Sequence, residues 1–238
     1  MSEQPDYEKL IDYIEQQLFE RKLRVGDKLP AERELSSILD ISRGSVRIGL
    51  AVLVAIGVID SKHGSGNYIN GSFDHKLMQI MTMMYSLEDM GELEICGFRY
   101  AAEQEAILLA IHNVTEEQKE LLKNLATALT TSEEAEKQTY YDQMLHQTIV
   151  DASGNRLVIA RYMALDKILN AVIQDVRDTV LHMGDEEFAA LQNSHVDLVN
   201  GICEGNLDLA QQALNTHFVF LQKALKNDKP QARTEETV

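Results

Sequence analysis

The sequence contains few of the residues that interrupt helices or cross-link a chain. Three of its 238 residues are proline and two are cysteine. Pro5 and Pro230 lie near the two ends, which leaves Pro30 alone in the interior. Proline interrupts a helix because it lacks the backbone N–H that the helix needs. This scarcity, together with long apolar patterns of helical period, predicts a mainly α-helical protein.

Long apolar runs and leader-like segments are also missing. No stretch approaches the roughly 18 apolar residues that span a bilayer. The N-terminus MSEQPDYEKL lacks the basic and apolar segments of a signal peptide. Cys96 and Cys203 are far apart and form no Cys-x-x-Cys pair, so we expect two reduced thiols. These absences predict a cytoplasmic protein without a membrane partner.

Positive charge is scarce in the chain as a whole, but it is unevenly distributed. The formal net charge is −16, which by itself disfavours a nucleic-acid partner. From Arg21 to Asn67, however, the balance of basic over acidic residues is +3, whereas from Ser72 onward it is −14. DNA binding needs a basic face rather than a basic protein. The charge distribution therefore permits DNA binding by the first segment.

A cluster of glycines between positions 57 and 71 coincides with a change in composition. We therefore expect two domains, over 1–71 and 72–238, with a polar and flexible tail over 227–238. Capping residues and apolar periodicity predict that the second domain is an antiparallel all-helical bundle of six or seven helices. The predicted helices are 74–87, 90–112, 116–130, 133–153, 155–182, 186–204 and 206–226.

The first domain has the pattern of a winged helix-turn-helix. Helices are predicted over 7–20, 31–39 and 43–56, and Ser42 is a suitable N-cap for the third. The segment GVIDSKHGSGNYIN then alternates apolar and polar residues around a glycine-rich centre, which indicates a β-hairpin. In such a domain the third helix enters the major groove of DNA, and the hairpin, or wing, reaches the neighbouring backbone.

Six residues of this domain are candidate DNA contacts. They are Arg33, Arg43, Ser45, Arg47, His63 and Gly64. Arg43 and Arg47 share one face at the start of the predicted recognition helix, where a guanidinium can bind guanine or phosphate. The last two candidates lie at the wing tip, where a glycine permits close approach of the backbone. The alternative is that the arginines are solvated helix surface paired with Glu32 and Glu34, and spacing alone favours neither.

The ordered series PAERELSSILDISRGSVR, IGVI and HGSGNYI resembles the winged-helix domain of the GntR family over roughly residues 7–70. The family segment reads approximately Pro-Ser/Ala-Glu-Arg-Glu-Leu-Ala, then Val-Ser-Arg-x-x-Val-Arg-Glu-Ala-Leu, then a wing that ends Gly-x-Gly. The resemblance implies that the six candidates contact DNA, as the matching positions do in the FadR subfamily. Ile48-Gly49 replaces the usual Glu-Ala and Gly44 replaces a residue that is commonly Thr, so base preference does not carry over.

Three of the seven histidines fall on apolar helix faces of the second domain. His146 lies one turn after Asp142, while His195 and His217 interrupt leucine-rich faces of the last two predicted helices. Burying four ionisable groups separately would be costly. One divalent cation would instead keep the imidazoles neutral and the carboxylate charged. The alternative is that each histidine is a satisfied core residue, and the spacing leaves both alternatives open.

The pattern Asp-x-x-x-His, Ser-Gly-Asn, a further His, a Gly-Asn turn and a final His is similar to the FCD effector domain, over about residues 74–222. Ser194 is a departure, because the family often has Glu there. The resemblance implies that the metal ligands are Asp142, His146, His195 and His217. Such a site suits Zn²⁺, Ni²⁺, Mn²⁺ or Fe²⁺ and leaves coordination positions open for a small carboxylate. The resemblance also places an effector-binding arginine at Arg99; the alternative is an ion pair with Glu103.

These observations predict a transcriptional regulator of the GntR family, FadR subfamily, and not an enzyme. We expect a homodimer that presents two recognition helices to a double-stranded DNA operator. Its affinity for that operator is expected to change when a small organic acid binds at the metal site. Two alternatives remain open, a metal-dependent enzyme that uses the three histidines and the aspartate, and a regulator whose helical domain holds no metal.

Overall fold

The computed structural model describes residues 5–72, 74–181 and 185–227, with the side chains of 175–185 and 227 left out. The chain divides into two compact units, Met1–Ile80 and Met81–Val238. Helix α4 (Asp74–Leu87) contains the border between them. The boundary predicted at residue 71 precedes this helix and stays a prediction, and residues 228–238 of the predicted tail lie outside the described residues.

The first unit is the winged helix-turn-helix that the sequence predicts. Its elements are α1 (Asp6–Phe19), α2 (Glu32–Leu39), α3 (Arg43–Ala55), β1 (Ile59–Lys62) and β2 (Gly66–Ile69). The two strands are antiparallel, and the buried side chains of Ile59 and Ile69 lie opposite each other. These isoleucines join a core supplied by all three helices, which anchors the wing to the helix-turn-helix. The core residues are Leu10, Ile14, Leu29, Leu35, Ile41, Val46, Leu50, Leu53, Ile59 and Ile69.

The position of α3 is determined by its first turn and by a close contact with α1. The side chain of Ser42 accepts a hydrogen bond from the backbone N–H of Ser45 at 3.0 Å, which confirms the predicted N-cap. Further along α3, a Cβ atom at Gly49 would lie 2.9 Å from Leu10 Cδ2 and 3.0 Å from the carbonyl oxygen of Tyr7. Glycine at 49, in place of the family alanine, therefore permits the two helices to approach closely.

The second unit is all-helical in its described part. Its helices are α5 (Glu92–Asn113), α6 (Glu116–Thr131), α7 (Ala135–Ala152), α8 (Arg156–Met163), α9 (Asp166–Leu181), α10 (Asp185–Glu204) and α11 (Leu207–Asn227). The prediction of a single helix over 155–182 is wrong, because a turn at Ala164 and Leu165 separates α8 from α9. Neither residue is glycine or proline and both are buried, so the apolar pattern runs through the break without marking it.

The centre of this unit is formed by α5, α7, α10 and α11. Helix α5 packs against α7 and α11, while α10 packs against α6 and α11. A turn at Gly205 and Asn206 folds α11 back along α10. A Cβ atom at Gly201 would lie 2.6 Å from the backbone nitrogen of Ala210, so glycine permits close packing of this pair. In the described ranges, every helix falls short of the length or hydropathy that crossing a membrane requires.

Candidate metal centre and nucleic-acid interface

The structure brings the four predicted metal ligands together inside the second unit. Asp142 and His146 lie on consecutive turns of α7, His195 lies on α10 and His217 on α11, and all four are buried. One donor atom from each lies within 4.8 Å of the other three. Two donors bound at about 2.2 Å on opposite sides of one ion are about 4.4 Å apart. Small shifts of these four side chains would therefore allow all of them to bind a single cation.

Asp142 is the anionic centre of the cluster. His195 Nε2 donates a hydrogen bond to Asp142 Oδ1 at 2.8 Å, and His146 Nε2 lies 3.6 Å from the same oxygen. Burial alone would raise the pKa of Asp142, but the two histidines, with the hydrogen bond from His195 and the positive charge of both rings, hold that pKa well below its usual value. The carboxylate is therefore ionised, as a metal ligand must be.

Of the four residues in the cluster, His217 gives the strongest support for a metal site. Its ring centroid lies 4.5 Å from that of His195 and 4.8 Å from that of His146. Both of its ring nitrogens are buried, and neither has a hydrogen-bond partner among the described residues. Burial and the two neighbouring histidines hold its pKa well below the usual value. A satisfied core histidine would have partners, so this neutral, unpartnered imidazole favours the metal alternative.

Glu103 organises the groups behind the cluster. This fully buried carboxylate accepts hydrogen bonds from Arg99 Nε at 2.8 Å, His146 Nδ1 at 2.5 Å and Tyr162 Oη at 3.2 Å. Burial would raise the pKa of Glu103, but the charges of His146 and Arg99 outweigh it and lower the pKa. Because an ionised carboxylate only accepts, His146 carries a hydrogen on Nδ1. Its Nε2 then faces Asp142 and the cluster.

Arg99 forms the ion pair that the sequence offered as one alternative, and effector binding by the same residue stays a prediction. Its Nε donates to Glu103, so the predicted ion pair one turn apart is formed. Its Nη2 lies 3.9 Å from Asp142 Oδ2 and has no hydrogen-bond partner among the described residues. Arg99, Asp142 and His217 also line a common cavity. A buried guanidinium with an unsatisfied nitrogen beside a cavity is suited to a carboxylate ligand.

Sequence reasoning missed the roles of Glu103 and Tyr162. The sequence indicates Glu103 only as an ion-pair partner of Arg99. The available signal was that both charged residues share an apolar face of α5 with Ala102 and Ala106, which are buried. Tyr162 lay within the helix predicted over 155–182, and no pattern distinguished it from an ordinary core residue.

The predicted DNA contacts lie at the surface of the first unit. Arg33, Arg43, Arg47, His63 and Gly64 are exposed and Ser45 is half-buried. Arg47 Nε donates to Glu32 Oε2 at 2.8 Å, and Arg43 Nη2 lies 3.8 Å from the same oxygen. Glu32 thus draws both guanidinium groups to one place at the start of α3. Exposed ion pairs contribute little to stability, so phosphate or a base edge can replace the glutamate.

Two further cations that sequence reasoning did not single out, Lys62 on the wing and Lys28 beside it, lie near the ring of Tyr68. His63 and Gly64 lie at the tip of the wing, and Gly64 has a φ of +72°, which favours glycine. On β1, Lys62 Nζ lies 5.0 Å from the centre of the Tyr68 ring, and Nζ of Lys28, which precedes α2 and forms a backbone bridge with Tyr68, lies 5.9 Å from the same centre. Cation–π attraction of this kind holds each ammonium group beside the Tyr68 ring, which places positive charge on this side of the wing.

The comparisons with known proteins match both units. Residues 6–69 match the family model described as bacterial regulatory proteins, gntR family, and residues 94–220 match the FCD domain. An Escherichia coli K12 protein whose name describes an L-lactate dehydrogenase operon regulatory protein is 28% identical over 231 residues, covering 95% of this chain and 89% of the relative. The HTH-type transcriptional regulator LutR of Bacillus subtilis is 24% identical over 208 residues, covering 86% and 94%. The solved structure of Streptococcus agalactiae GntR matches with a TM-score of 0.64 at 21% identity, covering 92% of this chain and 99% of that one.

Proposed function

The chain belongs to the gntR family of bacterial regulatory proteins and carries an FCD domain, and we propose that a small organic acid, bound at a divalent-metal site in that domain, controls its affinity for operator DNA. The relatives are transcriptional regulators, and this chain is likewise a regulator and not an enzyme. The alternative of a metal-dependent enzyme is thereby removed. The observation that carries the proposal is the convergence of four buried ligand groups around His217, whose nitrogens lack hydrogen-bond partners in the part of the chain that the structure describes.

In the DNA-binding unit, the start of α3 would enter the major groove of the operator. Arg43, Ser45 and Arg47 would face base edges and phosphates there, and Arg33 on α2 would bind the backbone. His63 and Gly64 would approach the DNA backbone or minor groove from the wing tip. Two such units in a homodimer would read two half-sites of a roughly palindromic operator. The exposure of the arginines and the local basic charge support this assignment.

In the FCD domain, the proposed metal ligands are Asp142, His146, His195 and His217. A bound divalent cation would supply positive charge and open coordination positions to a carboxylate. Arg99 would donate from Nη2 to that carboxylate, while its Nε stays bound to Glu103. Glu103 would also hold the hydrogen of His146 on Nδ1. Burial strengthens each of these interactions because the interior screens charge less than water does.

Control of DNA binding would follow from a difference in acid affinity between two arrangements of the dimer. An acid that prefers one arrangement shifts the population toward it and so changes the affinity for the operator. By thermodynamic linkage, operator DNA must change the affinity for the acid by the same factor.

The test begins with the metal content of the natively purified protein and of its Asp142→Ala variant. An operator is then selected from random double-stranded DNA, and its affinity for the holo-protein is titrated in the presence of candidate acids. We expect bound metal that the variant loses, and at least one acid that changes operator affinity. Unchanged metal content in the variant, together with flat titrations for every acid, would overturn the proposal in favour of a regulator without metal.

A further inference from the structure

The exposed surface of α3 is apolar except for its two arginines. The buried face of this helix consists of Val46, Gly49, Leu50 and Leu53. Because an α-helix has 3.6 residues per turn, positions 44, 48, 51 and 55 form a stripe on the opposite side. This outer stripe consists of Gly44, Ile48, Ala51 and Ala55, and all four residues are exposed.

Ile48 has the largest side chain of the outer stripe and is 53% exposed. Side chains of a helix lean toward its N-terminus, so Ile48 lies over the preceding turn, where Gly44 has no side chain. A Cβ atom at Gly44 would make an ordinary contact, 3.5 Å from Ser42 Oγ, so the surface over this turn is open. The apolar surface of Ile48 therefore extends to the beginning of α3.

The arginines beside the stripe indicate what covers it. Arg43 and Arg47 are exposed and lie within one or two turns of Ile48, and the acidic group near them is Glu32 on α2. In a two-fold contact between two copies of the chain through this stripe, the arginines of both copies would meet like charges. The major groove of DNA instead has phosphates at its edges and base edges between them. The combination of an apolar stripe and flanking arginines therefore favours DNA.

The chemistry of the major groove restricts which base suits an isoleucine. The base edges exposed there carry hydrogen-bond donors and acceptors, and thymine adds an apolar 5-methyl group. Isoleucine packed against a donor or an acceptor removes water from it without supplying a partner. Packed against the methyl group, the side chain loses no hydrogen bond and gains from burial. The polar side chains of α3 are those of Arg43, Ser45 and Arg47, so the helix has no Asn or Gln to pair with adenine.

We propose that Ile48 determines part of the operator sequence by packing against the methyl group of a thymine in the major groove. This inference rests on the proposed entry of α3 into that groove, and it adds the kind of base that the helix selects. Arg43 and Arg47 would bind phosphate or guanine beside this thymine.

The test uses the full-length protein and the operator selected from random DNA. Each thymine of the operator is replaced, one at a time, by deoxyuridine, which lacks the methyl group alone. Burial of one methyl group favours binding by about fourfold, so we expect a loss of that size at one thymine or more in each half-site. The Ile48→Ala variant should bind the unmodified operator at least fourfold more weakly and show no further loss at the same thymine. Fluorescence anisotropy measures all four affinities of this cycle.

Ile56→Ala is the matched control. Ile56 is also exposed, at 40%, but it lies about 12 Å further along the helix axis than Ile48. This variant should bind as the wild type does and keep the fourfold loss with deoxyuridine. Alanine favours a helix more than isoleucine does, so Ile48→Ala should fold, and thermal unfolding without DNA checks this.

The outcomes distinguish this inference from the placement of α3 on which it rests. If every deoxyuridine has the same effect on the wild type and on Ile48→Ala, while Arg47→Ala weakens binding, the methyl contact is wrong and the placement stands. If neither Ile48→Ala nor Arg47→Ala changes operator affinity, both are wrong. A loss at one thymine that Ile48→Ala abolishes and Ile56→Ala preserves supports both.

Discussion

The Nδ1 atom of His146 lies 2.5 Å from Oε2 of Glu103, and both side chains are completely buried. This contact joins α7 to α5 and determines which nitrogen of the imidazole faces the cluster. Glu103 is also the partner of Arg99, so one carboxylate positions both a candidate metal ligand and the candidate effector-binding residue. Carboxylates behind ligating histidines commonly fix the orientation and basicity of the ring.

Replacement of Glu103 by glutamine is expected to weaken metal binding without removing a ligand. The amide keeps the shape of the side chain but not the charge that holds the hydrogen on His146 Nδ1. Loss of such a supporting group typically lowers metal affinity by about 10- to 100-fold. Competition with a chelator of known affinity measures the change. Glu105→Gln, at an exposed position of the same helix, is the control, and equal affinities in the two variants would contradict the role of Glu103.

Replacement of His217 by leucine is expected to have opposite effects with and without metal. In the presence of a chelator, the variant should be more stable by roughly 1–3 kcal/mol, because two buried nitrogens without partners are removed. With metal added, the wild type should gain stability that the variant does not. Thermal unfolding of both proteins in each condition measures the effects. Destabilisation of the variant to the same extent in both conditions would indicate a plain core histidine.

Replacement of Arg47 by alanine is expected to lower operator affinity by about 10- to 100-fold, the range of one good bidentate contact. Fluorescence anisotropy at several salt concentrations also separates two kinds of contact. Loss of a phosphate contact reduces the salt slope by about one and weakens all sequences alike, whereas loss of a base contact lowers the ratio of specific to non-specific affinity. Arg24→Ala, at another exposed position of the same unit, is the control. If Arg47→Ala binds as that control does, Arg47 does not contact the operator.

Alanine substitutions at the two glycines of α3 are expected to have opposite signs. A Cβ atom at Gly49 meets Leu10 and the backbone of Tyr7, so Gly49→Ala should destabilise the first unit by about 1–3 kcal/mol. A Cβ atom at Gly44 has an ordinary contact, 3.5 Å from Ser42 Oγ. Gly44→Ala should therefore stabilise the helix by up to about 1 kcal/mol. Peptide-resolved hydrogen exchange over α1 and α3 measures both, and faster exchange in Gly44→Ala than in Gly49→Ala would contradict the packing argument.

The thiol of Cys96 is expected to resist alkylation in the native protein. Burial raises its pKa to about 11, from an ordinary value near 9. The thiolate is the reactive form, so at pH 8 its population should be on the order of 100-fold below that of an ordinary cysteine. Mass spectrometry after iodoacetamide treatment of a Cys203→Ser variant, native and unfolded, measures the two rates. Equal rates would show that Cys96 is accessible and has an ordinary pKa.

Much of the fold is encoded locally. The capping hydroxyl of Ser42, the near-absence of proline and the apolar periodicity of each helix were enough to predict a winged helix-turn-helix followed by a helical bundle. The failure at Ala164 and Leu165 has a simple cause: both are apolar residues that fit a helical pattern, and both are as buried in the turn as they would be inside a continuous helix. Periodicity records which residues are buried, but it does not record where a buried segment bends.

The candidate metal centre was likewise predicted only in part from the sequence. The sequence by itself predicted that one aspartate and three histidines lie on inward helix faces, because spacing along a helix specifies the face, and the resemblance to the FCD domain added Arg99. Only the tertiary structure decided that Glu103 and Tyr162 stand behind His146 and Arg99, and that Arg99, Asp142 and His217 line one cavity. Such relations join residues of different helices, and they depend on the depth and direction at which those helices pack, which no single helix encodes.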